Sequence, residues 1–533
     1  MKKIIAQKTK LLVIFLIVLT LVGFFYRLRG LSANFSFWID ETSSAAFARA
    51  ILERGKPLLA TGYAANDYLL HFLLMAGSFK IFGLTEFAAR LPSVIFGALT
   101  IPIVYLVGKR YAGERVGLVG AVLTTFSVLE ITYSRQARAY QELQFFSLLT
   151  LFAFLVLLGA ADRQRLHFKH IFFFLVAFGL SALTHKFALL FLFEAVTYLI
   201  LVRRDLLKKY VLLLSRARLS LVLVGLVMTL FLLQYFNFYK AIKETTFSFW
   251  ADKFGLTIQQ YLDIVFSHLK YYHSFFWRQY PHLSFLVLLG LMVGILRKNR
   301  LVWFLAIILF IHFAFITWRV FPQFVRYAYL IFPLFLILAA SFLSWLTDAL
   351  VSPKNHFFNR TLLVFLVLFL IVNGNKFTLL PKSYYSLNAD MSEVPEPDFK
   401  SVYRVVKNRV DFTKEKVVMI ENRADAGIWY LGEGMVDYYL VGPNELEPAW
   451  YLKQNIKKDP VTGALFLTNL GEFKDIVKNN KKGFVVLEVM ALEYVDVDPG
   501  VIDYIRKNLK QEVRYEHIPG NNLSLWPIEL YSW

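Results

Sequence analysis

The stretch F-W-I-D-E-T-S-S-A-A-F-A-R-A, Phe37–Ala50, sets two adjacent carboxylates, Asp40 and Glu41, among aromatic and small residues. It follows an apolar N-terminal run, Leu11–Tyr26, with only a short basic and polar connection between them. The fold turns on where that doublet sits. Arg27 and Arg29 follow the apolar run in place of a small-x-small cleavage site, so the run reads as an uncleaved anchor. The acids then lie just outside the first membrane crossing.

The rest of the composition agrees with a chain that crosses repeatedly. Of 533 residues, 57% are apolar and 17% aromatic while only 18% are charged, which is too apolar for a soluble chain of this length. The net charge of +20 does not point to nucleic acid, because the basic residues fall in short runs between apolar segments. Cysteine is absent, which excludes a disulfide framework and thiolate chemistry.

Further apolar stretches are Leu91–Gly108, Val116–Ile131, Leu143–Ala160, Ile171–Leu183, Phe187–Val202, Leu219–Phe236, Ser284–Leu296, Leu301–Thr317, Tyr327–Trp345 and Thr361–Val372. With the anchor they make about eleven crossings, several extended into polar flanks to reach the roughly 20 residues a bilayer requires. The loops G-K-R-Y-A-G-E-R, D-R-Q-R-L-H-F-K-H, R-R-D-L-L-K-K-Y, R-K-N-R and S-P-K-N-H-F-F-N-R are all basic and alternate with the others. One topology satisfies them: N-terminus cytoplasmic, C-terminus outside. The short run Tyr68–Gly83 carries His71 and Lys80 and breaks the alternation if it crosses, so it reads as an interfacial or re-entrant helix on the outer face.

The expected fold is a polytopic α-helical membrane protein with a small C-terminal α/β domain. Residues 1–374 form the membrane domain, with 27–90 as its first outer loop, and Pro381, Pro395 and Pro397 mark a linker over 375–398. Residues 399–533 alternate β-like runs (K-V-V-M-I, G-F-V-V-L-E-V) with amphipathic helical ones (F-K-S-V-Y-R-V-V-K, V-I-D-Y-I-R-K-N-L-K), the pattern of an extracytoplasmic α/β domain.

In this topology the conspicuous charges collect outside. Besides Asp40 and Glu41 they are Glu86 and Arg90 in T-E-F-A-A-R-L-P-S, and Arg135, Arg138, Tyr140 and Glu142 in Y-S-R-Q-A-R-A-Y-Q-E. His185 and Lys186 stand in T-H-K-F-A-L-L, and Arg319 and Arg326 in W-R-V-F-P-Q-F-V-R-Y. A carboxylate within hydrogen-bond reach of a hydroxyl can act as its general base. Arg135 and Arg138 are three apart, so on a helix they face one way, and two guanidinium forks suit a phosphate. A base, a phosphate clamp and access from the bilayer describe group transfer from a membrane-borne phosphate donor.

The run from Leu84 to Gly117, L-T-E-F-A-A-R-L-P-S-V-I-F-G-A-L-T-I-P-I-V-Y-L-V-G-K-R-Y-A-G-E-R-V-G, and then Y-S-R-Q-A-R-A-Y, resembles the dolichyl-phosphate-mannose protein mannosyltransferase-like group. That group has the multi-spanning C-type glycosyltransferase fold and includes protein O-mannosyltransferases and lipid A aminoarabinose transferases. I-D-E after the first span is similar to its acid pair, and T-H-K-F-A-L-L and F-V-R-Y-A-Y-L-I-F-P to later segments. The resemblance covers about residues 8–350 and is strongest over 36–145. It implies a polyprenyl-phosphate sugar donor, a lipid, glycan or protein acceptor, and inverting transfer at the outer face of a membrane, here a bacterial plasma membrane. It casts Asp40 as the base on the acceptor hydroxyl, Glu41 as its orienting or binding partner, and Arg135 and Arg138 as donor-phosphate contacts; Lys186 reads either as an anchor or as a charge partner for the same phosphate. Arg90, Tyr140, His185 and Arg326 become substrate-binding candidates. Members often have Pro-Pro before the interfacial helix where this chain has Asn66-Asp67, which adds Asp67 as a second acid.

Blander readings compete with these roles. The doublet also suits a helix N-terminus, Arg135 and Arg138 also suit lipid headgroups, and Arg90 can pair with Glu86 at i,i+4. There is no H-E-x-x-H and no EF-hand spacing, so no metal is assigned; a divalent ion on the donor phosphate is compatible but not required. Two other functions fit part of the pattern. A ligase or polymerase acting on lipid-linked oligosaccharides lacks the acid doublet after the first span, and a flippase or transporter calls for mid-membrane charges in duplicated halves.

Overall fold

The computed structural model describes all residues except 1, 33–35, 66, 207–256, 319, 321–322, 352–354, 375, 388–389, 392–395, 443–445, 495 and 518–523. The expected span Leu219–Phe236 and Arg319 therefore lie outside the described residues.

In chain order the first helices are α1 (Lys2–Leu28), α2 (Ile39–Arg54), α3 (Leu69–Phe82), α4 (Glu86–Ala112), α5 (Glu114–Phe126), α6 (Val128–Tyr133), α7 (Tyr140–Asp162), α8 (Phe168–Thr184) and α9 (Leu190–Leu201). Then come α10 (Ile258–Gln279), α11 (Pro281–Leu296), α12 (Arg300–Trp318), α13 (Val325–Tyr329), α14 (Phe332–Leu350) and α15 (His356–Asn373). Among the described residues six helices are long and apolar enough to cross a membrane: α1 from Gln7, α4, α7, α12, α14 and α15. A seventh arises if α10 and α11 are one span bent by 105°. Tyr280 and Pro281 explain that break, since proline has no N–H to continue a helix and opens α11 at its first turn. Three of the expected crossings are shorter. Val116–Ile131 is divided between α5 and α6 by extended Ser127, and α8 and α9 have 17 and 12 residues.

The chain divides into two compact units. The first comprises residues 1–29, 92–135 and 139–385, and is helical. Close helix approaches in it rest on glycine. A Cβ on Gly290 of α11 would lie 2.2 Å from the Leu338 carbonyl oxygen of α14, and one on Gly117 of α5 would lie 2.4 Å from the Tyr105 carbonyl of α4. Small residues let helix backbones approach where lipid supplies no hydrophobic drive.

The second unit comprises residues 30–91, 136–138 and 386–533. Its sheet has strands β1 (Val418–Glu421), β2 (Tyr438–Leu440), β3 (Leu465–Leu467), β4 (Gly483–Glu488), β5 (Lys510–His517) and β6 (Ser524–Ser532), in the order β3-β2-β1-β4-β6-β5. The first four are parallel, and β6 runs antiparallel to β4 and to β5. Both faces are covered, which is why β1 and β4 read as unbroken apolar runs instead of alternating. On one face Met419, Phe484, Val486, Ile528 and Leu530 share a core with Phe399, Val402 and Tyr403 of helix α16 (Phe399–Arg409), and with Phe37, Ala45, Met75 and Phe79. On the other, Val418, Ile420, Val485 and Leu487 pack with Phe473, Val501 and Ile505. The loop carrying the acid doublet is thus one body with the C-terminal sheet.

Candidate active site

The doublet opens α2, whose first turn contains both acids and whose C-cap, Gly55, has φ 73° and returns its N–H to the Ile51 carbonyl. Acids here face the positive end of the helix dipole, so the expected capping role is met in part: Glu41 accepts the Trp38 backbone N–H at 3.4 Å. The two carboxylates have different surroundings. Glu41 is fully buried and receives a two-pronged contact from Arg90, Nε to Oε1 at 2.8 Å and Nη2 to Oε2 at 2.7 Å. The Ala137 backbone N–H adds a fourth donor at 2.7 Å, and the Arg90 guanidinium also lies 5.0 Å from the centre of the Phe37 ring. Arg90 engages Glu41 in this way; Glu86 instead accepts Lys400 and the Tyr430 hydroxyl, each at 2.6 Å.

Asp40 keeps 30% of its side chain exposed and pairs with Arg138, Nη2 to Oδ2 at 3.2 Å. Arg138 Nη1 also donates to the Asp40 carbonyl and to Ser44 Oγ, each at 3.0 Å. Its guanidinium stacks 5.5 Å from the Tyr68 ring and 5.9 Å from the Trp38 ring. Trp38 in turn donates its indole N–H to Gln136 at 3.0 Å. Asp67 is half-buried in the turn before α3, next to Tyr68.

The expectation of Arg135 and Arg138 on one helical face is corrected. Residues 134–139 form a turn and bend between α6 and α7, and the two arginines belong to different units. Arg135 is fully buried and donates to the backbone carbonyls of Arg27 (2.8 Å), Arg29 (2.7 Å) and Ser383 (3.2 Å). A turn lets residues three apart diverge, whereas a helix would have aligned them.

Four further candidates belong to the first unit. Tyr140, at the start of α7, has its ring 5.9 Å from that of His185, and the Arg326 guanidinium lies 5.9 Å from the Tyr140 ring and 3.8 Å from that of Phe324. His185 is buried, and its Nδ1 accepts the Phe187 N–H at 2.9 Å; Lys186, next in the chain, is half-buried.

The sequence reading passed over a buried polar group in the same unit. The Tyr329 hydroxyl lies 3.1 Å from a Glu130 oxygen and 2.5 Å from the Gln141 side-chain oxygen, which share its single proton, and Gln144 donates to Glu130 at 3.1 Å. The signal was Glu130 itself, an acid inside the apolar run V-L-E-I-T-Y. Ser44 and Tyr68, partners of Arg138, carried no signal beyond their residue types. Among the described residues no three His, Asp or Glu side chains gather as a metal would need.

Residues 68–233 match the family model described as dolichyl-phosphate-mannose-protein mannosyltransferase, so the resemblance read from the sequence is borne out. No curated protein sequence matches the chain. Among solved structures, ArnT from Cupriavidus metallidurans in the apo state superposes with a TM-score of 0.58 at 14% identity, covering 98% of each chain. The same ArnT bound to undecaprenyl phosphate gives 0.57 at 14%, over 98% of this chain and 97% of that one. The Archaeoglobus fulgidus oligosaccharyltransferase AglB, in complex with an inhibitory peptide and a dolichol-phosphate, gives 0.51 at 14%, over 90% and 69%. The chain thus has the helical membrane fold that these proteins share, and over residues 68–233 it is similar to the dolichyl-phosphate-mannose-protein mannosyltransferases.

Proposed function

We propose that this protein is a membrane glycosyltransferase. It moves a sugar from a polyprenyl-phosphate donor to an acceptor hydroxyl on the outer face of the membrane, with inversion. The observation that carries the reading is the division of labour in the doublet. Glu41 accepts four N–H donors and has no exposure, whereas Asp40 is partly open and ion-paired with Arg138.

Asp40 is the general base. Arg138 orients it, and a carboxylate so placed can take the proton of an acceptor hydroxyl. As that proton moves to Asp40, the acceptor oxygen bonds to the anomeric carbon. The bond from that carbon to the phosphate oxygen breaks, and polyprenyl phosphate departs with the electron pair. Glu41 and Arg90 position the loop. We assign the phosphate to Arg138 and Lys186, and substrate binding to Asp67, Tyr140, His185 and Arg326. Arg135 is assigned to the fold, since its guanidinium is fully buried and donates to three backbone carbonyls. The lipid-phosphate ligands of the ArnT and AglB structures support a donor of this class. An orientation with the basic loops in the cytoplasm and residues 399–533 outside, in a bacterial plasma membrane, completes the proposal.

Asp40→Asn tests it. In cells carrying only this variant, the polyprenyl-phosphate sugar accumulates and the glycosylated product falls by roughly 10²–10⁴-fold, the usual weight of a general base. Unchanged product would overturn the assignment, and is what a flippase would give.

A further inference from the structure

The first unit contains a cavity of about 630 Å³ whose polar lining, among the described residues, is basic. Lys109 and Arg110 reach it from the end of α4, Arg163 and Arg165 from the loop after α7, and Lys169 from the first turn of α8. His167 and His170 complete the polar lining, and Leu106, Phe152 and Val156 supply apolar wall. Among the described residues no acid lines it; Asp162, adjacent in the chain, is ion-paired with Arg203. Five like charges around one hollow repel one another, a cost that an anion in the hollow offsets.

The arrangement is built. Arg110 is held by two hydrogen bonds to the Leu155 carbonyl, from Nε and Nη2 at 3.3 Å each. It lies directly over Gly159, where a Cβ would be 1.5 Å from Nη2 and would push the guanidinium aside. The N-terminus of α8 also borders the cavity, adding backbone N–H groups and the positive end of a helix dipole. A cationic rim over an apolar wall, at the ends of two helices apolar enough to span, matches a phosphate with acyl chains attached better than a free anion.

We propose that this cavity binds the headgroup of an anionic phospholipid, with its phosphate among Lys109, Arg110, Arg165 and Lys169 and its chains along Phe152 and Val156. The purified full chain is placed in nanodiscs of phosphatidylcholine with a minor fraction of phosphatidylglycerol, and the lipid retained after extraction is counted by native mass spectrometry. The wild type retains phosphatidylglycerol in preference. Lys109→Gln, Arg165→Gln and Lys169→Gln, at exposed positions, each weaken retention roughly fivefold, and together abolish the preference. A control, Arg297→Gln with Lys298→Gln, removes charge from another basic loop and leaves the preference intact. Equal loss in the control would reduce the effect to general surface charge and overturn the proposal. So would absence of any preference in the wild type, or displacement of the lipid by millimolar inorganic phosphate, which would make the site one for a soluble anion.

Discussion

Two neighbouring acids separated by one peptide bond are given opposite fates by their partners. Glu41 with Arg90 is a desolvated pair, 0% and 1% exposed, and taking away one member of such a pair leaves the other charge buried and uncompensated. Glu41→Gln is therefore expected to destabilise the protein by roughly 3 kcal/mol, read as a fall in unfolding temperature of the purified chain. Asp40→Asn, at a partly exposed site, should unfold near the wild-type temperature. The pair of variants separates a structural acid from a chemical one. For Arg138, alanine should weaken donor use, and lysine should recover little, because an ammonium cannot reproduce a fork that reaches Asp40 and Ser44 together. Donor titration of the two variants checks this, and wild-type behaviour in both would remove Arg138 from the phosphate. Sequence alone revealed the doublet but not its asymmetry. What distinguishes Glu41 is Arg90 on α4 and the Ala137 N–H, brought from 49 and 96 residues away.

At the scale of elements, the loop before α2 is fastened by helix α17 (Asp425–Tyr430). The Tyr430 hydroxyl accepts the Phe37 N–H at 2.7 Å and donates to Glu86 at 2.6 Å, while its ring stacks 5.4 Å from that of Tyr403. Burial first, and then the Glu86 carboxylate, hold this phenol well above its ordinary pKa, so it stays a donor throughout the working range. Tyr430→Phe keeps the ring and removes the link, leaving a buried N–H unsatisfied. We expect a stability loss of about 1–3 kcal/mol and a several-fold fall in transfer, measured by thermal unfolding and by product formation. Elements with strong periodicity were legible beforehand: K-V-V-M-I overlaps β1, G-F-V-V-L-E-V contains β4, and the two amphipathic runs fall largely within the helices Phe399–Arg409 and Pro499–Asn508. The turn at 134–139 was not, because two arginines three apart read the same on a helix or a bend until the backbone is known.

Across the whole second unit, the buried acid Glu421 sets a pH dependence. Fully enclosed at the end of β1, it accepts the Tyr403 hydroxyl at 2.7 Å. Burial raises its pKa to about 8, the Tyr403 hydrogen bond opposing and Asp425 adding to the rise. An acid whose folded pKa lies above its unfolded value favours the native state in its protonated form. That contribution is fully present below about pH 4.5 and is lost as pH rises through about 8. The unfolding temperature should accordingly fall between pH 5 and pH 8, and Glu421→Gln should flatten the slope. An unchanged slope in the variant would assign it to other groups. That residues 30–91 share a core with residues 399–530 could not be read from either segment, since each has its own apolar face and nothing in the pattern says that the faces meet.

This shared core also fixes an order of events during synthesis. Asp40 leaves the ribosome well before the residues that pack beneath its helix, from Phe399 to Leu530. Segments generally acquire structure as their partners emerge. A nascent chain that stops short of residue 399 therefore carries Asp40 without the core beneath its helix, and the transfer proposed for this acid requires that later segment.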